Sequence, residues 1–173
     1  MNNPIIRQGL RLLFFLLVQV LLLKQIPLGP IGPFYADAFV YPLFLLLLPQ
    51  RTSLELLLLL GFGIGLFVDM FYDSWGVHAS ASVFLAFIRP GMLRRLEPKG
   101  GYNLNYGLTI QRFSLNWFLR YAAFMMLFYL GFYYSMQVFS PVFFLEIIAK
   151  TALSFVTSML FILILMLIFN PLD

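Results

Sequence analysis

Long runs of apolar residues, broken only by short polar or proline-containing stretches, extend through this sequence from end to end. The chain of 173 residues is 62% hydrophobic and 10% charged, and its mean hydropathy is +0.93. Soluble domains are less apolar, and a bilayer core about 30 Å thick needs roughly 20 apolar residues for each helical crossing. The sequence therefore predicts an all-α, polytopic membrane protein whose residues 1–173 form a single transmembrane domain.

Six apolar segments predict six transmembrane helices. They cover about residues 5–23, 35–48, 53–70, 76–96, 115–139 and 142–169. The second segment is short and contains Pro42, so a re-entrant segment competes with a full crossing on length. Charge favours the crossing, because several arginines would otherwise lie on the wrong side of the membrane.

If all six segments cross, the basic residues gather on one side of the membrane. That side carries Arg7, Arg11, Arg51, Arg89, Arg94, Arg95, Lys99, Arg112 and Arg120, and the other side carries Lys24 and Lys150. Because loops rich in lysine and arginine stay in the cytoplasm, both termini are predicted to be cytoplasmic. Within this set, a cytoplasmic basic rim is predicted at Arg89, Arg94, Arg95, Lys99 and Arg112. The net charge of +4 is then a membrane-orientation signal and indicates no nucleic-acid partner.

Residues 97–113 form the longest cytoplasmic loop in this topology. Apolar and aromatic residues alternate there with polar neighbours, which is a strand-like period. An isolated strand is unstable in water, so the loop is predicted to lie on the headgroups, to pair locally or to contact a cytoplasmic partner.

Catalytic residues are poorly provided for. Cysteine is absent and His78 is the single histidine, which excludes thiolate nucleophiles and histidine-rich metal sites. No nucleophile is flanked by a base, and no glycine-rich phosphate loop is found. His78 with Asp69 and Asp73 could hold a divalent ion, but a hairpin with Asp73 or Ser74 capping the fourth helix explains the same residues. The prediction is a non-enzymatic protein with no cofactor and no metal.

Small residues mark one face of the third and fourth helices. Gly61 and Gly65 stand four apart, and Ala79, Ser82 and Ala86 form a small face at helical spacing. Small residues allow helix backbones to approach closely. The simplest interpretation is that these two helices pack together, and the alternative is a face that accepts a helix of another protein.

Polar residues inside the apolar segments need partners. Asp69 is expected to be paired, hydrated or bonded to backbone amides, and Lys150 is a candidate partner with Glu146 one turn away on its own helix. The hypothesis is a polar cluster of Asp69, Glu146 and Lys150. Along the same face as Lys150 lie Ser154, Thr157 and Ser158, which are expected to bond across helices in preference to lining a cavity.

The third and fourth segments also carry a family resemblance. Gly61, Gly63 and Gly65, then Asp69, then the run from Gly76 through Val77 and His78 to Ala79 resemble the bacterial rod shape-determining protein MreD family. Length, order of segments and the basic patch after the fourth helix agree with that family over essentially the whole chain. The resemblance implies a fold similar to that of the substrate-binding subunits of energy-coupling transporters.

In function, the resemblance implies a multi-pass protein of the bacterial inner membrane that helps to organise sidewall peptidoglycan synthesis. Its implied partners are MreC, a RodA-type glycosyltransferase, a class B penicillin-binding transpeptidase, membrane lipids and, directly or indirectly, the MreB filament. The glycine face and residues 14–21 of the first helix are the hypothesised contact surfaces.

Two alternatives stay open on the sequence. One is the substrate-binding membrane subunit of an energy-coupling vitamin transporter, although residues 10–23 lack the alanines that such subunits usually present to the coupling subunit. It would also need polar groups converging on a ligand, and only Asp69, His78, Glu146 and Lys150 are available. The other is a packing subunit of a different membrane complex.

Overall fold

A computed structural model describes residues 4–25, 37–98, 101 and 107–169, and within these ranges all of the regular secondary structure is helical, without strands. The helices are α1 (Pro4–Leu17), α2 (Pro42–Leu47), α3 (Leu54–Tyr72), α4 (Val77–Arg95), α5 (Leu115–Val138) and α6 (Phe144–Phe169). A π-helical turn (Val18–Leu22) and a 3-10 turn (Leu23–Gln25) extend α1, and a 3-10 turn (Pro141–Phe143) precedes α6.

Four helical stretches are long and apolar enough to cross a membrane. They are Ile6–Gln25, Leu54–Tyr72, Leu115–Val138 and Phe144–Ile168. Helix α4 is as long as α3, at 19 residues, but it is far less apolar because it includes Arg89, Arg94 and Arg95. The prediction of a helical membrane protein is thus confirmed with four spans on these criteria, where the sequence predicted six.

The second predicted helix, 35–48, is wrong for half of its described length. Residues 37–40 are not helical, and α2 contains only six residues, about 9 Å of helix. The helix begins at Pro42 because proline lacks an N–H and its fixed φ suits the first helical turn.

This second segment nevertheless extends along most of α5. Its start is held where Tyr134 donates a hydrogen bond to Asp37, and its end where Tyr121 donates to the carbonyl of Leu46. Tyr134 and Tyr121 are 13 positions apart, which is about 20 Å along a helix. Every residue from Ala38 to Leu48 is buried, so the segment is surrounded by the rest of the protein.

Helices α3 and α4 form a hairpin with a short turn. Asp73 ends α3 in the left-handed conformation, at φ 52°, and Gly76 precedes α4 at φ 81°. A glycine meets no steric penalty at such an angle. The turn places the last residues of α3 beside the first residues of α4.

The loop predicted over 97–113 is partly described. Gly107, Leu108 and Thr109 are buried, and the N–H of Leu108 donates to the carbonyl of Leu47 at 3.3 Å. This portion therefore packs against the end of α2 within the same chain, which is none of the three arrangements that the sequence predicted. Residues 99–100 and 102–106 lie outside the described part of the chain.

Candidate functional site

The small residues of α3 and α4 face one another. A Cβ built on Gly65 would lie 2.5 Å from the carbonyl oxygen of His78 and would also overlap Ala79. One built on Gly61 would lie 2.8 Å from the carbonyl oxygen of Ser82 and 3.4 Å from the Cβ of Ala86. The residues predicted to pack therefore lie together, and they lie inside this chain.

The carboxylate of Asp69 holds the beginning of α4. One oxygen accepts hydrogen bonds from the N–H of His78 at 2.9 Å and the hydroxyl of Ser74 at 2.7 Å, and the other accepts from the N–H of Ala79 at 2.9 Å. The first amides of a helix have no partner within it, and they carry the positive end of the helix dipole. Asp69, rather than the predicted Asp73 or Ser74, supplies the acceptor for these amides.

The predicted cluster of Asp69, Glu146 and Lys150 is divided. Lys150 Nζ lies 2.7 Å from Glu146 Oε1, one helical turn away. Within the described residues Asp69 makes its hydrogen bonds to the α3–α4 turn and no ion pair with Lys150. Asp37, at the start of the second segment, lies within electrostatic range of Lys150.

Side chains from α6 satisfy the non-helical backbone of the second segment. The hydroxyl of Ser154 accepts from the N–H of Asp37, and that of Ser158 accepts from the N–H of Phe39, both at 2.9 Å. Thr157 donates to the carbonyl of Asp37 at 3.0 Å. The polar face of α6 thus bonds across elements, to the backbone of the second segment and, through Ser154, to the Tyr134 hydroxyl on α5.

Gln19 does the same from the other side. Its Oε1 accepts from the N–H of Val40 at 2.8 Å, and its Nε2 donates to the carbonyl of Ala38 at 3.0 Å and to the Tyr72 hydroxyl at 2.6 Å. Unpaired backbone groups in an apolar interior are costly. Gln19 and the α6 hydroxyls supply a partner to at least one backbone group of each residue from Asp37 to Val40.

A group of buried polar side chains contacts the middle of the second segment at Tyr41. The Tyr41 hydroxyl bonds to His78 Nδ1 at 3.1 Å, to Ser82 Oγ at 3.2 Å and to the Tyr129 hydroxyl. Rings of Phe39, Tyr72 and Tyr133 pack around the imidazole, with centroids at 4.7–5.4 Å. His78 is 0% exposed, and its Nε2 has no hydrogen-bond partner in the part of the chain described. These contacts fix the second segment against α4 and α5.

Metal binding by His78 with Asp69 and Asp73 finds no support in this geometry. Both oxygens of Asp69 accept from backbone amides, and Asp73 is exposed in the turn. Over the described ranges, no group of three histidine, cysteine, aspartate or glutamate side chains is placed to share an ion.

Residues of the predicted basic rim differ in their exposure. Arg94, Arg95 and Arg112 are exposed at one end of the bundle, which is called the arginine-rich end below, and Lys99 lies outside the described residues. Arg89 is 1% exposed, so its assignment to a rim is wrong. Its guanidinium donates to the carbonyl of Leu48 and, at 3.2 Å, to the Tyr121 hydroxyl.

Arg89 therefore holds the end of α2, where backbone carbonyls have no helical partner. A basic side chain also suits the negative end of the helix dipole. The arginine lies two turns before the end of α4, which places it at the depth of Leu48 and not at the surface.

Sequence reasoning missed Gln19, Tyr41, Tyr121 and Tyr129 as organising residues. A usable signal existed for Gln19, because it is the one uncharged polar side chain in an otherwise apolar stretch of the first helix. The tyrosines gave no such signal, because tyrosine is also common at membrane interfaces, where it needs no buried hydrogen-bond partner.

The fold and these buried bonds define a helical, membrane-embedded protein whose polar side chains support a non-helical internal segment. Comparison with protein-family models, curated proteins and solved structures finds no match to this chain.

Proposed function

We propose that this protein is a non-enzymatic component of the bacterial rod elongation complex, acting in the inner membrane as members of the MreD family do. It would organise sidewall peptidoglycan synthesis as a scaffold for MreC, a RodA-type glycosyltransferase and a class B penicillin-binding transpeptidase, with the MreB filament as a direct or indirect partner. The proposal starts from the resemblance at Gly61, Gly65, Asp69 and residues 76–79.

One observation carries the proposal furthest: these resembling residues form a single contact unit. Gly61 and Gly65 remove the bulk that would separate α3 from α4, and Asp69 bonds the amides of His78 and Ala79. If the glycines and the aspartate occurred together by chance, the close helix contact and the Asp69 hydrogen bonds would not be expected at the same hairpin. A rigid hairpin is what a scaffold requires to keep its rims in a fixed geometry.

Six crossings with both termini cytoplasmic are part of the proposal. Helix α4 packs antiparallel to α3 and equals it in length at 19 residues. The second segment follows α5 for about 20 Å, and its non-helical backbone is bonded to protein groups, which is the condition for such backbone at membrane depth. The arginine-rich end then faces the cytoplasm.

Exposure shows which face of the first helix is open to a partner. Leu10, Leu13, Leu17 and Leu21 are 47–62% exposed and recur at helical spacing, whereas Phe15 and Leu16 are buried. Gly61 and Gly65 are buried against α4 and offer no surface to a partner. We therefore place a partner helix on the exposed leucine face of α1.

The test combines depletion with crosslinking in the native host. Loss of the protein is expected to produce rounded cells, and an affinity-tagged copy is expected to co-purify MreC. A photoreactive residue at Leu13 or Leu17 should give adducts with MreC or the synthase. Matched positions Leu160 and Ile164, exposed on α6, should give only lipid adducts.

The transporter alternative predicts a different result: normal shape with impaired vitamin uptake. The polar groups that it needs do not converge, since Asp69 and His78 are bonded within the hairpin core while Glu146 and Lys150 pair on α6. Absent adducts at both Leu13 and Leu17, with unchanged cell shape, would rule out the scaffold proposal.

A further inference from the structure

A cavity of about 230 Å³ opens between the beginning of α3 and the end of α4. Polar groups in its wall come from Gln50, Thr52, Arg89 and Arg94, and Leu57 and Leu93 form an apolar part. This volume is several times the roughly 30 Å³ that one water molecule occupies in the liquid. The cavity lies at the arginine-rich end, where a membrane protein meets lipid headgroups.

Arg89 gives this cavity an unbalanced positive charge. The guanidinium is 1% exposed, and the acceptors that it finds among the described residues are neutral: the carbonyl of Leu48 and the hydroxyl of Tyr121. A buried cation is costly when no anion compensates it. Glu55, the acidic residue in the first turn of α3, is exposed and does not line the cavity.

Two further features favour an anion here. Arg94 adds a second guanidinium to the wall, and the amino-terminal end of α3, with its positive dipole, begins at Leu54 beside it. Arginine binds phosphate through paired N–H groups and is favoured in partly buried phosphate sites.

We propose that this cavity binds a phosphate group, with Arg89 and Arg94 as the two cationic ligands. The phosphate belongs to an anionic lipid headgroup, such as that of phosphatidylglycerol, or to a free phosphate ion, and both sources share the same chemistry. Arg89 joins the bound anion to the end of α2, so occupancy stabilises the second segment. This inference is independent of the role in cell shape.

The test uses the purified full chain and a matched pair of variants. Arg94→Gln removes a cavity charge, whereas Arg95→Gln removes the neighbouring exposed charge, which does not line the cavity. Arg89 is left intact because it also holds α2. Native mass spectrometry in mixed micelles with phosphatidylglycerol, and with phosphatidylcholine as the zwitterionic comparison, gives the binding.

Phosphatidylglycerol is expected to bind, and Arg94→Gln is expected to weaken that binding about fivefold, the size expected for one arginine near an anionic lipid. Arg95→Gln should leave it within about twofold. Equal losses in the two variants, or equal retention of the two lipids, would overturn the proposal.

A second arm separates the two sources of phosphate. Thermal unfolding is followed without anionic lipid in potassium phosphate and in potassium chloride of equal ionic strength, and separately in micelles that contain phosphatidylglycerol. Stabilisation by phosphate that Arg94→Gln abolishes supports the site with a free ion, and stabilisation by phosphatidylglycerol alone supports it with a lipid. No stabilisation by either probe would refute the site.

Discussion

The α3–α4 interface and the buried segment 38–48 contact their neighbours in opposite ways. At the interface, Gly61 and Gly65 have no side chains, so two regular helices touch through backbone. In the segment, the backbone itself is irregular, and side chains from α1 and α6, such as Gln19 and Ser158, reach it. The interface depends on the absence of side chains at the two glycines, and the segment depends on polar side chains that bond to its backbone.

The difference follows from where backbone hydrogen bonds are made. Helices satisfy their own N–H and C=O groups, so close approach needs only small residues. A non-helical segment in an apolar interior must take its partners from other elements. The two regions should therefore respond to different kinds of substitution.

Gly65→Leu should be the most disruptive change. Its side chain would overlap the backbone of Ala79 and His78, which cannot move without parting the helices and breaking the bonds of Asp69. We expect a loss of about 3 kcal/mol or more in the free energy of unfolding, measured by titration with SDS in mixed micelles. Gly63→Leu is the control, since a Cβ there meets nothing within 4 Å. Similar losses at both glycines would contradict the interface.

Gln19→Leu should rank next. It leaves the N–H of Val40 and the carbonyl of Ala38 without their bonds to this side chain. An unsatisfied buried group costs about 1–3 kcal/mol, so a loss of about 3 kcal/mol is expected in the same titration. Gln25→Leu, at the exposed end of the same helical stretch, should cost little. If leucine at 19 proves neutral, Gln19 does not support the segment.

Asp69→Ala should cost about 2 kcal/mol, because two amides at the start of α4 lose their acceptor. Asp69→Asn should recover part of that loss, since an amide oxygen still accepts one bond. Asp73→Ala, in the exposed turn, is the matched control. Circular dichroism during heating measures all three, and an alanine at 69 as stable as wild type would argue against capping.

Ser158→Ala should cost about 1 kcal/mol, because one hydrogen bond to the N–H of Phe39 is lost. Ser135→Ala, on an exposed face of α5 where the hydroxyl bonds within its own helix, should be neutral. Hydrogen exchange at Phe39 provides a direct readout. Exchange at Phe39 is expected to become faster in Ser158→Ala and to stay unchanged in Ser135→Ala. Unchanged exchange in Ser158→Ala would show that α6 does not hold the segment through this bond.

Glu146→Gln should have the smallest effect. Its ion pair with Lys150 joins two side chains that are 33% and 21% exposed on one helix, a type of pair that contributes about 0.3–0.5 kcal/mol. Thermal unfolding should change little, and added salt should erase the difference. A loss as large as that of Asp69→Ala would restore the cluster that the sequence suggested.

Much of this architecture was predictable. The positions of α3, α4, α5 and α6 follow from apolar run length, and the match between Gly61, Gly65 and the small face of α4 follows from helical spacing. Arg89 and Asp69 were noticed, but their partners were not. An arginine near the end of a helix is normally predicted to lie at the surface. Arg89 instead lies deep enough to donate a hydrogen bond to the buried carbonyl of Leu48, and the sequence does not show that depth.

By itself the sequence determined that the chain is a helical membrane protein and that two of its helices can pack closely, because hydropathy and side-chain size act over neighbouring residues. The tertiary structure alone decided that residues 37–41 depart from helix and that Gln19, Ser154 and Ser158 bond to them. Those partners lie 19 to 119 positions away along the chain. A backbone group's need for a partner is local, but the side chain that meets it is chosen by how the helices pack.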